Sequence, residues 1–194
     1  MGKHRLEAFS DGVLAILITI LVLELKVPHG TEITSLAPLL PVFLTYVLSF
    51  AYLGIYWNNH HHLLQLCSRV TGAMLWANLV LLFWLSLVPF ATGWMGENHF
   101  ATWPTALYGV VLLMAALSYT WLQTLIIRAE GPDSLLARAV RADWKGKLSL
   151  MLYTLAIAVS FRLGWLSLAI YVVVALIWLV PDRRIEKIAS RTPH

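Results

Sequence analysis

The sequence predicts an all-α, polytopic membrane protein with six transmembrane helices. Of its 194 residues, 59% are hydrophobic and only 12% are charged, whereas a soluble domain carries about 25% charged residues. The apolar residues are gathered in segments close to the length of about 20 residues that a membrane-spanning helix needs. We expect residues 1–194 to form a single transmembrane domain.

The first apolar segment follows a short basic start that contains Lys3 and Arg5. A secretory signal peptide would end in a small-residue cleavage site, and none follows this segment. We therefore expect it to remain as the first transmembrane helix. Cys67 is the single cysteine, which excludes a disulfide framework within the chain and a cysteine-based metal cluster.

Prolines, glycines and polar residues separate the six segments. The second segment opens near Pro38, the third ends at Thr92-Gly93, and the fourth has Pro104 in its first turn, a position that suits proline. The last two segments are short, and residues 162–165 are predicted to join them as a tight helical hairpin. The predicted helices are 6–26, 35–64, 70–93, 104–128, 147–162 and 164–181.

Lysine and arginine are concentrated in alternate loops, which places those loops and both termini in the cytoplasm. The opposite loops hold only Lys26 and Arg162. We expect the protein to lie in the plasma (inner) membrane, with a short amphipathic helix at 131–147 on its inner surface. The net charge of +4 is explained by membrane topology, so the expected partner is the lipid bilayer and not nucleic acid. The cytoplasmic basic residues are Lys3, Arg5, Arg69, Arg128, Arg138, Arg141, Lys145, Lys147, Arg183, Arg184, Lys187 and Arg191.

The first helix carries one stripe that is aliphatic except for a single hydroxyl group. Each helical residue turns about 100°, so five residues of this helix share a stripe roughly 100° wide. Such a stripe can face a narrow pore, but aliphatic stripes also pack against other helices or lipid, and periodicity does not separate these interpretations. The stripe consists of Gly12, Ile16, Thr19, Ile20 and Leu23.

Asp11 falls almost opposite this stripe. An ionisable group inside the membrane needs a partner. The second helix returns to the cytoplasmic side, and Asn78 lies about 12 Å along the third helix at 1.5 Å per residue. We expect a buried polar network that holds the first helix at a fixed angle. Its predicted members are Arg5, Phe9, Ser10, Asp11, Trp57, Asn58, His60, His61 and Asn78.

Three consecutive histidines, His60, His61 and His62, suggest metal binding. Adjacent helical side chains point about 100° apart, however, and useful metal-binding spacings are i, i+3 or i, i+4. Structural hydrogen bonding is therefore favoured, and no metal or other cofactor is expected. A partly buried histidine can also sense pH, because it titrates near neutrality. The sequence contains no usable catalytic motif, which argues against an enzyme.

The opening Arg5-x-x-x-Phe9-Ser10-Asp11 resembles the signature of the transmembrane protein 175 family of lysosomal and prokaryotic potassium channels. The similarity covers most of the first half of the chain, whereas the later helices match in hydropathy and length. It extends through Gly12-Val13, Ala15-Ile16, Thr19, Leu23-Glu24, Tyr56-Trp57-x-x-His60-His61, Asn78-Leu79, Phe83 and Pro89-Phe90.

The resemblance implies a homotetramer in which four first helices line a central pore for K⁺. The chain lacks a Thr-Val-Gly-Tyr-Gly run, so a carbonyl selectivity filter is excluded. The family's isoleucine constriction falls on Ile16, with further apolar pore positions at Ile20 and Leu23. The threonine layer linked to potassium preference falls on Thr19. Animal members carry serine at the position of Ala15, so weaker selectivity is expected here.

The leading interpretation is therefore a leak-type, potassium-permeable cation channel with a hydrophobic constriction. A proton-conducting channel is an alternative, because animal relatives resemble proton leaks and the histidines can titrate. An alternative of another class is a membrane metal-binding protein or enzyme that uses His60, His61 and Asp11. A secondary transporter is disfavoured, because broken helices and paired inverted halves are not evident.

Overall fold

The computed structural model describes residues 2–140 and 144–179, and every regular element in these ranges is helical. The four longest helical segments, 3–23, 33–65, 72–97 and 102–130, are each long and apolar enough to cross a membrane. The all-α class is thus confirmed, and the chain is a multi-pass membrane protein. The elements are α1 (Lys3–Leu23), a 3-10 helix (Ile33–Leu39), α2 (Leu40–Gln65), α3 (Gly72–Ser86), α4 (Val88–Glu97), α5 (Thr102–Glu130), α6 (Leu135–Val140), α7 (Trp144–Ser160) and α8 (Gly164–Leu179).

The third predicted helix differs most from expectation. Its helical path is interrupted at Leu87 and continues as α4 to Glu97, so the predicted end at Thr92-Gly93 is wrong. Pro89 lies in the first turn of α4, where its missing N–H group needs no partner. Thr92 lies inside α4, and its hydroxyl donates back to the carbonyl of Val88 at 2.6 Å.

The structure also differs from the sequence prediction at residues 131–147, which were expected to form one amphipathic helix. Residues 131–147 contain the six-residue helix α6 and the first turn of α7, which begins at Trp144. Residues 141–143 lie outside the described residues, as do the predicted end of the sixth helix at 181 and the basic residues that follow it. The predicted cytoplasmic residues that lie outside the description are Arg141, Arg183, Arg184, Lys187 and Arg191.

Helix α5 packs along both α3 and α7, while α2 contacts α1, α4 and α8. Two contacts show which helix ends meet. The ammonium group of Lys3, at the start of α1, donates to the carbonyl of Gln65, at the end of α2, at 2.8 Å. The backbone N–H and hydroxyl of Ser68 both donate to Glu130 Oε1 at the end of α5, at 2.7 and 2.8 Å. The start of α1 and the ends of α2 and α5 therefore lie at one side of the bundle.

Tyrosine hydroxyls tie the core together, since a buried hydroxyl needs a hydrogen-bond partner. The hydroxyl of Tyr52 donates to the carbonyl of Tyr171 at 2.6 Å, and that of Tyr171 donates to the carbonyl of Thr105 at 3.1 Å. Tyr108 OH lies 2.9 Å from the hydroxyl of Ser49. These bonds hold α2, α5 and α8 in one register.

The α2–α4 contact is close because α4 has a glycine where the two backbones meet. A Cβ atom at Gly96 would lie 2.8 Å from Val42 Cα and 2.6 Å from Thr45 Oγ1. A Cβ atom at Gly54 on α2 would meet nothing within 4 Å of the same chain. The two glycines therefore differ in what an added methyl group would disturb.

We expect Gly96→Ala to lower the stability of the protein by about 1–3 kcal/mol, because the added carbon meets backbone that cannot move without separating α2 from α4. Gly54→Ala is the matched control and should leave stability unchanged or slightly higher. Thermal unfolding in detergent, followed by circular dichroism, measures both. Equal midpoints for the two variants would contradict the close packing at Gly96.

Candidate functional site

Helix α1 has a buried face and an exposed face. The side chains of Ile16, Ile20 and Leu23 are 58%, 37% and 76% exposed, and Gly12 and Thr19 are exposed with them. The predicted stripe therefore lies on the exposed face of α1, with Ile20 at its edge, where it also borders a groove between α1 and α4. The buried face consists of Leu6, Ser10, Leu14, Leu17 and Leu21.

The hydroxyl of Thr19 is partly engaged within its own helix. It donates to the carbonyl of Ile16 at 2.8 Å. A hydroxyl has one proton to donate and two lone pairs that accept. Because the proton is directed to the backbone, the oxygen of this exposed side chain is left as an acceptor, which is the role that contact with a cation requires.

A chain of hydrogen bonds fixes the buried face of α1 to α3 and α2. Ser10 Oγ donates to the carbonyl of Leu6 at 2.9 Å and accepts from Asn78 Nδ2 at 2.9 Å. Asn78 Oδ1 lies 2.7 Å from His60 Nε2. Because an amide oxygen only accepts, Nε2 carries the proton in this contact. We call Ser10, Asn78 and His60 the polar triad; all three side chains are buried.

Asp11 lies beside the triad. Its Oδ1 atom and His60 Nδ1 are both buried without a hydrogen-bond partner among the described residues, and the charge of Asp11 acts electrostatically on His60. A buried group without a partner costs about 1–3 kcal/mol. Buried ionisable groups of this kind in membrane helices are associated with function or assembly.

A second polar cluster surrounds the start of α1, and it includes two residues that the sequence did not suggest. Glu7 Oε1 lies 3.0 Å from His61 Nδ1, and His61 Nε2 lies 2.8 Å from Gln65 Nε2. The ring of Trp57 stacks on His61 with 6.4 Å between centroids. Glu7 and Gln65 carry a sequence signal, because they lie three and four residues from Ser10 and His61 and so share their helix faces.

The structure therefore brings together only part of the predicted network. Among the residues described, Arg5 and Asn58 make no hydrogen bond or ion pair with the polar triad. Phe9 is 48% exposed and extends the exposed face of α1. No group of three or more potential metal ligands is assembled within the described ranges, the histidine run included.

Comparisons with known proteins identify the same family as the Arg5-x-x-x-Phe9-Ser10-Asp11 motif. The sequence profile of the endosomal/lysosomal potassium channel TMEM175 matches residues 5–89. A potassium channel of Chryseobacterium sp. (strain P1-3) is 58% identical over 96% of this chain and 97% of that protein. A potassium channel of Chamaesiphon minutus is 34% identical over 89% and 91% of the two chains.

A solved structure has the same fold. The crystal structure of a lysosomal potassium-selective channel TMEM175 homolog from Chamaesiphon minutus matches with a TM-score of 0.82 and 32% identity. The match covers 94% of this chain and 97% of the other. The likeness thus extends well beyond residues 5–89, through the later helices where the sequence carries few motifs.

We expect Asn78→Leu to destabilise the protein by about 1–3 kcal/mol, because it leaves Ser10 and His60 buried without their partner. Asn58→Leu is the matched control: it makes the same chemical change on α2 but breaks no bond of the triad. Thermal unfolding in detergent measures the difference. If both variants lower the unfolding midpoint by the same amount, the hydrogen bonds of the polar triad do not hold α1 in place.

Proposed function

Because the chain belongs to the TMEM175 family of potassium channels, we propose that it is a leak-type, potassium-permeable channel for passive K⁺ flux across the membrane. The family's members are channels and not enzymes. The observation that carries this proposal is the exposed stripe of α1, in which three large aliphatic side chains and one hydroxyl face out of the protomer. The stripe needs either lipid or further copies of the chain to cover it.

The proposed assembly is a homotetramer with four copies of α1 around a central axis. The match to a TMEM175 homolog structure over nearly the whole chain supports this arrangement. In it, Ile16, Ile20 and Leu23 turn toward the axis and form successive apolar rings. The polar triad on the opposite face anchors each α1 in its own protomer.

We propose that the chain is one six-span domain in the inner membrane with both termini cytoplasmic. The side of the bundle where α1 starts and α2 and α5 end also carries Lys3, Arg69 and Arg128, as the positive-inside rule requires. Helices α7 and α8 have 17 and 16 described residues. At 1.5 Å per residue, α7 is about 25 Å long, slightly short of the hydrocarbon core of about 30 Å. A locally thinner bilayer would accommodate the difference.

Ile16 is the proposed constriction. A ring of four isoleucine side chains gates by dewetting, because water is unstable between hydrocarbon walls at a small radius. Thr19 is the proposed selectivity layer. Its oxygens can replace part of an ion's hydration shell, and K⁺ loses water at a lower cost than Na⁺, so a neutral ring of this kind favours K⁺ modestly.

The function is tested by reconstituting the purified full-length chain in liposomes and measuring flux under separate K⁺, Na⁺ and proton gradients. The proposal expects K⁺ flux that exceeds Na⁺ flux. Proton flux without K⁺ flux would instead establish the proton channel. The absence of ion flux together with stoichiometric zinc or haem in the purified protein would establish a metal-binding protein that uses His60, His61 and Asp11.

We expect Ile16→Asn to raise single-channel K⁺ conductance severalfold, because a polar ring keeps the constriction wet. Val22→Asn is the matched control. Val22 is also an exposed aliphatic residue of α1, at 48%, but it lies about 120° away from Ile16 around the helix. An unchanged or silent Ile16→Asn channel, or an equal rise in the control, would contradict a gate at Ile16.

We expect Thr19→Ala to lower the K⁺/Na⁺ permeability ratio roughly two- to fivefold, which corresponds to about 0.4–1 kcal/mol of discrimination. Thr19→Ser keeps the hydroxyl and should keep the ratio. The reversal potential under bi-ionic conditions measures both variants. A reversal potential that does not move in Thr19→Ala would show that the selectivity layer lies elsewhere.

A further inference from the structure

We propose that Glu24 is a conductance-determining residue that draws cations to the mouth of the pore, and that Gly93 is its positioning residue. The proposal rests on the proposed function, because it needs four copies of α1 around one axis. It concerns the end of α1 that lies beyond Leu23. It adds an electrostatic element to a pathway that is otherwise neutral.

Glu24 lies directly at the end of the stripe. It follows Leu23, the last residue of α1, and its backbone N–H is held by the carbonyls of Leu21 and Val22. The carboxyl end of a helix carries the negative end of the helix dipole, where an acidic side chain is disfavoured. Glu24 therefore adds negative charge where helix stability argues against it, and where four such helix ends would surround the pore mouth.

The carboxylate of Glu24 is not neutralised by a close partner. Glu24 borders an open groove between α1 and α4, together with Ile20, Phe90 and Glu97. Among the described residues, its carboxylate forms no hydrogen bond and no ion pair within 4.0 Å.

Glu97, the other carboxylate of the groove, does have such a partner, because its Oε1 lies 2.5 Å from Lys26 Nζ. This hydrogen bond is the main reason that the pKa of Lys26 is raised above its ordinary value. These two carboxylates and one ammonium group together leave one net negative charge at the groove of each subunit. Glu24 is the carboxylate without a contact partner, because Lys26 is bonded directly to Glu97 and acts on Glu24 only through a weaker electrostatic interaction.

Gly93 determines where the Glu24 carboxylate lies. Gly93 is buried in α4, and a Cβ atom added there would overlap Glu24 Oε2. The overlapping atom is the far end of a flexible side chain and not backbone. An alanine at this position is therefore expected to displace the carboxylate of Glu24 while leaving the packing of α4 intact.

Four unpaired carboxylates at one mouth raise the local K⁺ concentration and steer cations toward the pore. The effect is screened by salt, because the Debye length is about 30 Å at 0.01 M and about 3 Å at 1 M. The contribution of Glu24 should therefore be large at low ionic strength and small at high ionic strength. It should also be larger for cations that enter from the Glu24 side than for those that leave by it.

The experiment compares single-channel conductance of full-length channels in planar bilayers at about 0.02 M and about 1 M KCl, a range over which screening changes strongly. For Glu24→Gln we expect the conductance for K⁺ that enters from the Glu24 side to fall roughly threefold at low salt, with little change at high salt. Gly93→Ala should shift conductance in the same direction. Lys26→Gln should raise it, because Glu97 then loses its partner.

Glu32→Gln is the matched control. It removes the same charge from the connection between α1 and α2, but Glu32 does not line the groove. Its conductance should equal that of the wild type. Elution at the oligomeric size confirms that each variant is folded.

The proposal is overturned if the Glu24→Gln channel has the same conductance as the wild type at low salt. It is also overturned if the reduced conductance of Glu24→Gln persists at high salt, or if Glu32→Gln reduces the conductance by the same factor. A wild-type protein that carries no K⁺ current at either salt concentration would overturn the channel function itself. A conducting wild type with an unaffected Glu24→Gln variant overturns only the role of Glu24.

Discussion

The rotation of α1 about its own axis is the constraint on which the rest of the structure depends. In a bilayer, lipid tails are as apolar as leucine side chains, so apolar packing alone does not decide which face of a helix is buried. The hydrogen bonds from Asn78 to Ser10 and from His60 to Asn78 do decide it. They turn Ser10 inward, and helical geometry then turns Ile16 and Thr19 outward.

The helical segments and the two faces of α1 were predictable, because hydropathy and a turn of 100° per residue depend on local sequence. The position of the interruption in the third helix was not predictable in this way. Threonine followed by glycine often ends a helix, but Thr92 and Gly93 both lie inside α4. The hydroxyl of Thr92 is bonded to Val88, and Gly93 faces Glu24. Both residues have tertiary or side-chain reasons for their identity that periodicity does not reveal.

The sequence predicted the depth of the polar residues along their helices, but not which of them are hydrogen-bonded to each other. Counting residues along antiparallel helices placed Ser10, His60 and Asn78 at one level, and these are hydrogen-bonded in the structure. The same counting included Asn58, which does not join them, and missed Glu7, which pairs with His61. Depth follows from rise per residue, whereas pairing depends on helix rotation and side-chain rotamers. The number of copies around the pore is likewise not encoded in any single helix.

In the proposed tetramer, the sizes of the stripe residues determine where the pore is narrowest. Gly12, the first stripe residue, is small and exposed, so the ring it forms is wide, and the large side chains of the stripe begin at Ile16. Thr19 is hydrogen-bonded to the carbonyl of Ile16, which ties the hydroxyl layer to the same helical turn as the constriction. A movement of α1 that separates the Ile16 side chains must therefore also separate the Thr19 oxygens. Opening such a pore and loosening its selectivity would be one event and not two.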